Sequence, residues 1–218
     1  MKYILDEDTN YTRRGDVGIV VEDGVLVDVG MDVEKLIVPS GVHTIDARVC
    51  MDHEKLKQVV IPETVKKIGG AAFANDDNIT HFSLPLSMAE GDSELGQLAF
   101  WGCCPEFIVT PLYFFDFFER ENVEEAIFIA DPEWTWIATL DFNNCRKLKK
   151  IFLPDNITEI QPHSFENCIS LKEINYNNTK AAWHSIKKGE NWDINDVDKK
   201  KLDFVVKCTD GVLTKETR

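Results

Sequence analysis

The stretch from Cys145 to Ile174 reads CRKLKKIFLPDNITEIQPHSFENCISLKEI, and it contains one motif twice. A cysteine is followed after three residues by leucine and after three more by isoleucine, first from Cys145 and again from Cys168. The offset is 168 − 145 = 23 residues. A fixed period of this size is typical of solenoid proteins, in which each repeat buries its apolar face against the next. The sequence therefore predicts a repeat architecture.

The same period is found in the first half of the chain, where prolines mark it. Pro39, Pro62 and Pro85 are separated by 23 residues each, and apolar residues precede every one of them by three positions and by one. This alternation predicts short strands. Each proline would stand at a strand end, where it removes no ladder hydrogen bond. Seven strands are expected, centred on Leu36, Val59, Phe82, Ile108, Phe128, Ile151 and Ile174.

The two ends of the chain differ from the repeats and are predicted to cover them. Residues 17–29 are expected to form a hairpin that turns at Asp23-Gly24. Residues 179–189 predict a short amphipathic helix with Lys187 and Lys188 in its last turn, and a strand should follow. We therefore expect one domain, 1–218, made of an N-terminal cap at 1–32, six to seven repeats at 33–176 that are irregular at 88–124, and a C-terminal cap at 177–218.

The repeat pattern resembles the BspA-like leucine-rich repeats of bacterial surface and related proteins. Leu148 to Cys168 show that pattern almost in full, Leu56 to Phe73 show most of it, and the stretch around Trp183 is similar to a segment that follows such repeats. The resemblance implies an α/β repeat solenoid, which is a right-handed leucine-rich-repeat coil with a parallel sheet on its concave face, an N-terminal β-hairpin cap and a C-terminal helix-plus-strand cap. It implies protein–protein contact or adhesion as the function.

The charge and the apolar runs limit the partners and the location. The chain has 218 residues and a formal net charge of −14, which repels nucleic acid and anionic membranes, so neither is expected as a partner. Membrane insertion is not expected either, because no run approaches the roughly 18 apolar residues that a span needs. The first residues do not have the pattern of a signal peptide. We expect a cytoplasmic location, with the cell surface or secretion as the alternative if an export signal has been removed.

No set of residues in the sequence is typical of a catalytic site. His53-Glu54 lacks the second histidine of a zinc-binding helix. Acidic residues cluster at 6–8 and at 193–198, but neither cluster has the spacing of an EF-hand calcium loop. The sequence therefore predicts a protein that is not an enzyme and that needs no cofactor or metal. A metal-dependent activity at the acidic loops is the less favoured alternative.

The cysteines follow the repeat. Cys103, Cys145 and Cys168 each stand three residues after a phenylalanine, so we expect them to be buried as small apolar side chains. A disulfide between Cys145 and Cys168 stays open as a possibility, because these positions would stack on neighbouring repeats.

The outward positions of the middle strands suggest a binding surface. Successive strand residues face opposite sides of a sheet, and in the middle of the chain the side away from the core is apolar. Phe107 and Ile127 are expected in one row across the strands, and Val109, Ile129 and Phe152 in the next. Because contiguous exposed apolar patches usually mark interaction sites, we predict that a protein partner, or a second copy of the chain, binds here.

Two alternatives to this surface stay open. The phenylalanine-rich segment 111–124 could itself cover the apolar rows. The chain could instead bind carbohydrate, with Trp101, Trp134 and Trp136 as stacking platforms. Trp134 and Trp136 are therefore included among the candidate binding residues.

Overall fold

A computed structural model describes residues 3–5, 18–90, 92–139 and 141–218. The chain forms two compact units, of which unit 1 is Met1–Pro105 with Phe117–Glu119 and unit 2 is Glu106–Asp116 with Arg120–Arg218. The expected single domain and its cap boundaries remain a prediction.

Unit 1 consists of short strands that alternate between two sheets. The first sheet has the order β1-β2-β3-β5-β7-β9, and β4, β6 and β8 run side by side in the second. A 3-10 helix at Leu86–Ala89 follows β8. The strands are β1 Tyr3–Leu5, β2 Ile19–Glu22, β3 Val25–Val29, β4 Lys35–Ile37, β5 Thr44–Ile45, β6 Gln58–Val60, β7 Lys67–Ile68, β8 His81–Ser83 and β9 Glu94–Leu95.

The register of unit 1 confirms the period that the prolines indicated. Leu36 pairs with Val59, and Val59 pairs with Phe82, all in parallel strands. The expected hairpin is also present, since β2 and β3 are antiparallel and turn at Asp23 and Gly24. Both turn residues have positive φ, 48° and 77°, which is the conformation that two-residue hairpin turns of this kind require.

Two glycines of unit 1 allow neighbouring repeats to approach closely. Gly69 and Gly96 directly follow the second strand of their repeats, and each donates its N–H to the repeat before it, at 2.8 Å to Ile45 O and at 2.7 Å to Ile68 O. A Cβ on Gly96 would lie less than 3.0 Å from the backbone of Gly69 and Gly70. A side chain of any size therefore does not fit there without movement of the adjacent backbone.

A buried polar pair connects three repeats of unit 1. His53 and Asp76 are each 1% exposed. His53 donates from Nε2 to Gly30 O at 2.7 Å, and its backbone N–H donates to Asp76 Oδ1 at 2.7 Å. Asp76 Oδ2 has no hydrogen-bond partner among the described residues. Burial raises the pKa of Asp76 from 3.8 to about 7, against the opposing effect of the His53 N–H.

We predict that Asp76→Asn stabilises the protein at high pH. Because the folded-state pKa of Asp76 is raised, its favourable contribution is complete below pH 4 and is lost as the pH rises to about 7. Asparagine keeps the acceptor for His53 N–H and carries no charge. The variant should gain about 1–3 kcal/mol at pH 8, because it removes the desolvation cost of a buried charge, and little at pH 4. Urea denaturation at both pH values measures the difference.

Asp77→Asn is the matched control, because Asp77 is the exposed neighbour. It should change the free energy of unfolding by less than about 0.5 kcal/mol at either pH. Parallel stability–pH curves for Asp76→Asn and the wild type would contradict the assignment of this pH dependence to Asp76.

Unit 2 repeats the two-sheet arrangement with longer strands. Its main sheet has the order β10-β11-β13-β15-β19-β20, and β12, β14 and β16 form a second parallel sheet. A 3-10 helix at Leu112–Phe117 follows β10, and α1 spans Lys180–Ser185. The strands are β10 Phe107–Pro111, β11 Glu125–Ile129, β12 Trp136–Ile137, β13 Lys150–Leu153, β14 Glu159–Ile160, β15 Glu173–Tyr176, β16 Lys187–Lys188, β17 Ile194–Asn195, β18 Lys200–Lys201, β19 Val205–Cys208 and β20 Gly211–Leu213.

Aromatic residues at repeat positions form the core of unit 2. Phe142 and Phe165 are both fully buried, and their rings stack with centroids 4.7 Å apart. Phe165 also contacts Trp192, and Trp192 contacts Trp183 of α1. The predicted solenoid on a parallel sheet is thus confirmed in each unit.

The C-terminal helix is shorter than the predicted range 179–189. Thr179 is its N-cap as expected, and its hydroxyl accepts from Ala182 N at 3.2 Å. The helix ends at Ser185, however, and Lys187 and Lys188 form β16 instead of a last helical turn. Lys187 N donates to Thr158 O at 3.0 Å, which continues the parallel ladder from β14. Pairing with the preceding repeat therefore outweighs the weak helix preference of this segment.

The predicted strand centre at Phe128 is wrong by two residues. Ala126 is the residue that pairs with Ile108 on one side and with Ile151 on the other. Between this repeat and the next, contacting residues are 25 apart as far as Asp131, whose carbonyl accepts from Asn156. Four residues later the spacing is 23 again, since Thr158 contacts Thr135. Two additional residues therefore lie in the turn between β11 and β12.

Exposed ion pairs connect equivalent positions of successive repeats. In unit 1, Lys57 contacts Glu34 at 2.8 Å, 23 residues away, and Lys55 pairs with Asp32 in the same manner. In unit 2, Lys149 contacts Glu124 at 2.6 Å. Exposed pairs of this kind contribute roughly 0–1 kcal/mol each, so they matter little for total stability.

Among the described residues, Arg218 and Asp193 form a buried ion pair. The side chains of Arg218 and Asp193 are 2% and 5% exposed, and Nη2 donates to Asp193 Oδ2 at 3.0 Å. Arg218 also donates to the carbonyls of Leu202 at 2.7 Å and Phe204 at 2.9 Å. Its guanidinium carbon lies 3.7 Å from the centroid of the Phe204 ring. Arg218 thereby connects the segment that leads into β19 with the loop that contains Asp193.

The repeat cysteines are buried, free thiols, as expected. Cys168 Sγ donates to Phe142 O at 3.0 Å, and Cys103 Sγ donates to Phe73 O at 2.9 Å. Burial raises the pKa of Cys145 to about 12. Since the thiolate is the reactive form, these positions are chemically inert.

Candidate functional site

The outward face of the main sheet of unit 2 presents two rows of side chains across its strands. The inward residues Ile108, Ala126 and Ile151 are buried, and the residues that alternate with them are half-buried. The first row is Phe107, Glu125, Lys150, Glu173 and Val205, and the second is Val109, Ile127, Phe152, Asn175 and Lys207.

The second row brings three of the predicted binding residues side by side. Val109 pairs with Ile127, and Ile127 pairs with Phe152, on three adjacent strands. We call these three residues the apolar strip. The shift of β11 changes the expected rows, because Ile127 does not stand beside Phe107. Ile129 does not stand beside Phe152 either, but pairs with Pro111 at the end of β10.

An open groove of about 470 Å³ runs along the C-terminal part of this face. Ile127 and Phe152 line its apolar end, and Asn175, Tyr176 and Lys207 line the other end. A groove with an apolar floor and a few polar groups at one end has the general composition of a recognition site.

Glu173 organises the polar end of the face. Asn175 Nδ2 donates to Glu173 Oε1 at 2.8 Å, Lys150 Nζ lies 3.7 Å from the same oxygen, and Lys207 pairs with Oε2. Burial raises the pKa of Glu173, but the hydrogen bonds from Lys207 and Asn175 outweigh it and leave the pKa below its usual value. The carboxylate therefore stays charged, and it holds two ammonium groups next to the apolar strip. Lys150 Nζ also lies 5.1 Å above the Phe152 ring.

Phe115 and Phe118 of the segment 111–124 pack on the core side of their units, whereas Phe117 is 44% exposed. Phe115 contacts Phe128 at 5.3 Å and Phe142 at 5.0 Å between ring centroids, and both partners point inward. Phe118 belongs to unit 1, where it contacts Phe82 and Phe100. These contacts do not cover the apolar strip, which stays half-exposed.

Of the two candidate tryptophans, Trp136 lies on the other parallel sheet of unit 2, and Trp134 lies in the turn before β12. Trp136 is the outward residue of β12, and its ring stacks on Trp134 at 4.3 Å between centroids. Tyr113 completes this group, with its ring 5.0 Å from that of Trp134. Trp101, the third tryptophan, belongs to unit 1 and is 54% exposed.

The acidic loop 193–198 is used for internal contacts. Asp193 holds Arg218, Asp196 pairs with Lys199, and Asp198 lies 3.6 Å from Lys200. Across the part of the chain that the structure describes, no three His, Cys, Asp or Glu side chains are grouped as metal ligands. The other acidic cluster, Asp6 to Asp8, lies outside the described residues. None of the helices in the described ranges is long and apolar enough to span a bilayer.

Comparison with protein families identifies the repeat. Six copies of the BspA type leucine-rich repeat region match residues 29–107 and 115–188, which is most of the chain. The chain belongs to the BspA-type leucine-rich repeat family. The leucine-rich-repeat fold class expected from the sequence is therefore confirmed, and the residues between the two matched ranges fall where β10 leads into the 3-10 helix.

Solved structures of bacterial leucine-rich repeat proteins are similar to this BspA-type chain. A leucine-rich cell surface protein from Faecalibacterium prausnitzii shares 21% identity with a TM-score of 0.43, over 78% of this chain and 41% of that one. A leucine-rich repeat protein from Bacteroides ovatus shares 20% identity with a TM-score of 0.41, over 93% of this chain and 70% of that one. The leucine-rich repeat protein of T. pallidum shares 16% with a TM-score of 0.37, over 83% and 81%.

The chain thus spans less than half of the length of the Faecalibacterium protein. No curated protein matches it. None of these findings supports the cytoplasmic location expected from the sequence.

The sequence predicts the three residues of the apolar strip as outward-facing, but it does not single out the polar residues beside them. Glu173 and Lys207 are common surface residues, and nothing in the repeat pattern distinguishes them. Lys207 stands in β19, outside the seven predicted strands, yet it continues the row of Phe152 and Asn175. The one usable signal was the predicted terminal strand, whose outward residue could have been added to that row.

Proposed function

We propose that the protein is a non-catalytic binding module, and that a protein partner docks on the outward face of the main sheet of unit 2. The observation that supports this proposal best is the apolar strip, in which Val109, Ile127 and Phe152 are adjacent across three strands and half-exposed. Membership of the BspA-type family is consistent with a role in protein contact. We also propose the cell surface as the location, on the strength of the same family resemblance.

The chemistry of the face indicates what the partner should present. The groove offers an apolar end at Ile127 and Phe152 and the ammonium group of Lys207. Lys207 shares the carboxylate of Glu173 with Lys150, which lies in the neighbouring row of the same face. A partner segment with one or two apolar side chains would bury the strip, and this burial would supply most of the affinity. A carboxylate on the partner could then contact Lys207 at the rim, where it mainly affects orientation and association rate.

The test is a double variant, Ile127→Ala with Phe152→Ala. Each truncation should cost roughly 1 kcal/mol of binding energy, so the pair should weaken partner binding about thirtyfold. Because both side chains are only half-buried, the melting temperature should change little. Biolayer interferometry with a partner isolated from the source cell measures affinity, and calorimetry measures stability.

Ile37→Ala is the control, since Ile37 is the 46% exposed outward residue of β4 in unit 1. It should leave partner binding unchanged. Equal affinity of the double variant and the wild type would refute the proposed surface, and a fall of several degrees in melting temperature would show that the strip is core. If sedimentation finds a concentration-dependent dimer that the double variant lacks, the partner is a second copy of the chain.

A further inference from the structure

We propose that Tyr113, Trp134 and Trp136 form a second binding site, and that its ligand is a neutral carbohydrate. We call these three residues the aromatic cluster. Trp136 stands on the sheet of β12, β14 and β16, whereas the groove described above lies on the main sheet of unit 2. The two surfaces are therefore built from different strands and can be tested independently.

The cluster is a continuous aromatic surface. The rings of Trp134 and Trp136 are stacked at 4.3 Å with an interplanar angle of 30°, and Tyr113 meets Trp134 edge-on at 5.0 Å. Tyr113 is 47% exposed, and both tryptophans are half-buried. Core repeats elsewhere in the unit bury their aromatic rings, as Phe142 and Phe165 do. Keeping three large rings in contact with solvent is unfavourable for folding, which makes a ligand the natural explanation.

The position of Trp134 depends on the two additional residues after β11. Asp131 is 6% exposed, and its Oδ1 accepts from Glu133 N at 2.9 Å while its carbonyl accepts from Trp134 N at 3.2 Å. These bonds fix the enlarged turn. The insertion therefore holds Trp134 against Trp136 before any ligand arrives, and such pre-organisation lowers the entropic cost of binding.

Polar side chains stand in the same row as Trp136. Trp136 pairs with Glu159, and Glu159 pairs with Lys187, so the three outward side chains follow one another across β12, β14 and β16. Lys187 Nζ contacts Glu159 Oε1 at 2.9 Å and is 75% exposed. The hydroxyls of Thr135 and Thr158 lie 3.1 Å apart beside this row. Hydroxyl, carboxylate and ammonium groups therefore border the rings.

This combination fits a sugar better than an apolar protein surface. A pyranose has a C–H face that can lie on an aromatic ring and a rim of hydroxyls that both donate and accept hydrogen bonds. A protein hot spot would have to remove Lys187 and Glu159 from water, which is costly for charged groups. The formal net charge of −14, with Glu133 next to the rings, disfavours sialylated or uronic-acid glycans. The proposed ligand is therefore uncharged.

The experiment is a glycan array of neutral oligosaccharides (glucans, xylans, mannans and unsialylated host glycans) with the labelled full chain, followed by isothermal titration calorimetry with each glycan that binds. Trp134→Ala with Trp136→Ala should weaken binding by about tenfold or more, because stacking partners of this size are lost. Glu159→Gln should weaken it less. Trp101→Ala, which removes an exposed tryptophan of unit 1, should bind as the wild type does.

A second readout does not depend on variants. The bound sugar should shift or quench the tryptophan fluorescence of the wild type, and the double variant should lose that change. The proposal is overturned if no neutral glycan binds, if only acidic glycans bind, or if the double variant binds as well as the wild type. Capture of a protein through these rings, with no glycan bound, would overturn it too.

Discussion

Arg218→Ala is expected to lower the free energy of unfolding by about 3–5 kcal/mol, the cost of removing one partner from a buried ion pair. The substitution leaves Asp193 buried without its counter-charge, and it leaves the carbonyls of Leu202 and Phe204 without their donor. Stacking of the guanidinium on Phe204 is lost as well. Chemical denaturation followed by circular dichroism measures the change.

Two further variants separate the charge from the geometry. Arg218→Lys keeps the positive charge but has no planar fork for three acceptors, so it should recover only part of the loss. Arg146→Ala removes an exposed arginine of the same unit and should change stability by less than about 0.5 kcal/mol. If Arg218→Ala unfolds at the same denaturant concentration as the wild type, the buried pair does not stabilise the last strands.

Gly96→Ala should destabilise the protein by about 3 kcal/mol, the upper range for overpacking a closely packed site. The added methyl would overlap backbone atoms of Gly69 and Gly70, and backbone cannot rotate away as the end of a flexible side chain can. The N–H of Gly96 that bonds Ile68 O would have to move with it. Thermal unfolding by calorimetry is the measurement.

Gly41→Ala is the control for the same chemical change. A Cβ at Gly41 would meet nothing within 4 Å, so alanine there should be neutral or add about 0.5 kcal/mol by restricting the unfolded chain. Equal melting temperatures for the two alanine variants would show that the repeats can separate locally at no cost, contrary to the packing described.

Most of the fold could be predicted because the same spacing of apolar residues recurs along the chain. The apolar spacing of Leu148 and Ile151 occurs again at Leu56 and Val59 and at Leu171 and Ile174, and all six residues are buried. The shift at β11 could not be predicted from that pattern. Ala126 and Phe128 are both inward, so a displacement by two residues leaves the alternation of inward and outward residues unchanged. Hydrogen bonds in the turn after Asp131, which the sequence does not reveal, decide between the two registers.

The candidate site was predictable in part for the same reason. The alternation of side chains along a strand places Ile127 and Phe152 on the outward side, whether Ala126 or Phe128 pairs with Ile151. Their position next to each other depends on the two-residue insertion, and so does the contact of Trp134 with Trp136. The end of the C-terminal helix was misjudged because Lys187 and Lys188 suit a last helical turn equally well, and only pairing with β14 decides the matter.

The ion pairs between successive repeats have a consequence for the order in which repeats assemble. All repeats offer nearly the same apolar side chains, so a misfolded chain that skipped one repeat would bury a similar core. The charges are not the same from repeat to repeat, since Asp32 and Glu34 meet Lys55 and Lys57 only when the two repeats are direct neighbours. If one repeat were skipped, Asn78 and Thr80 would stand opposite Asp32 and Glu34 in place of the two lysines. Surface charges that contribute little to stability can therefore distinguish the correct succession of coils from a shortened one.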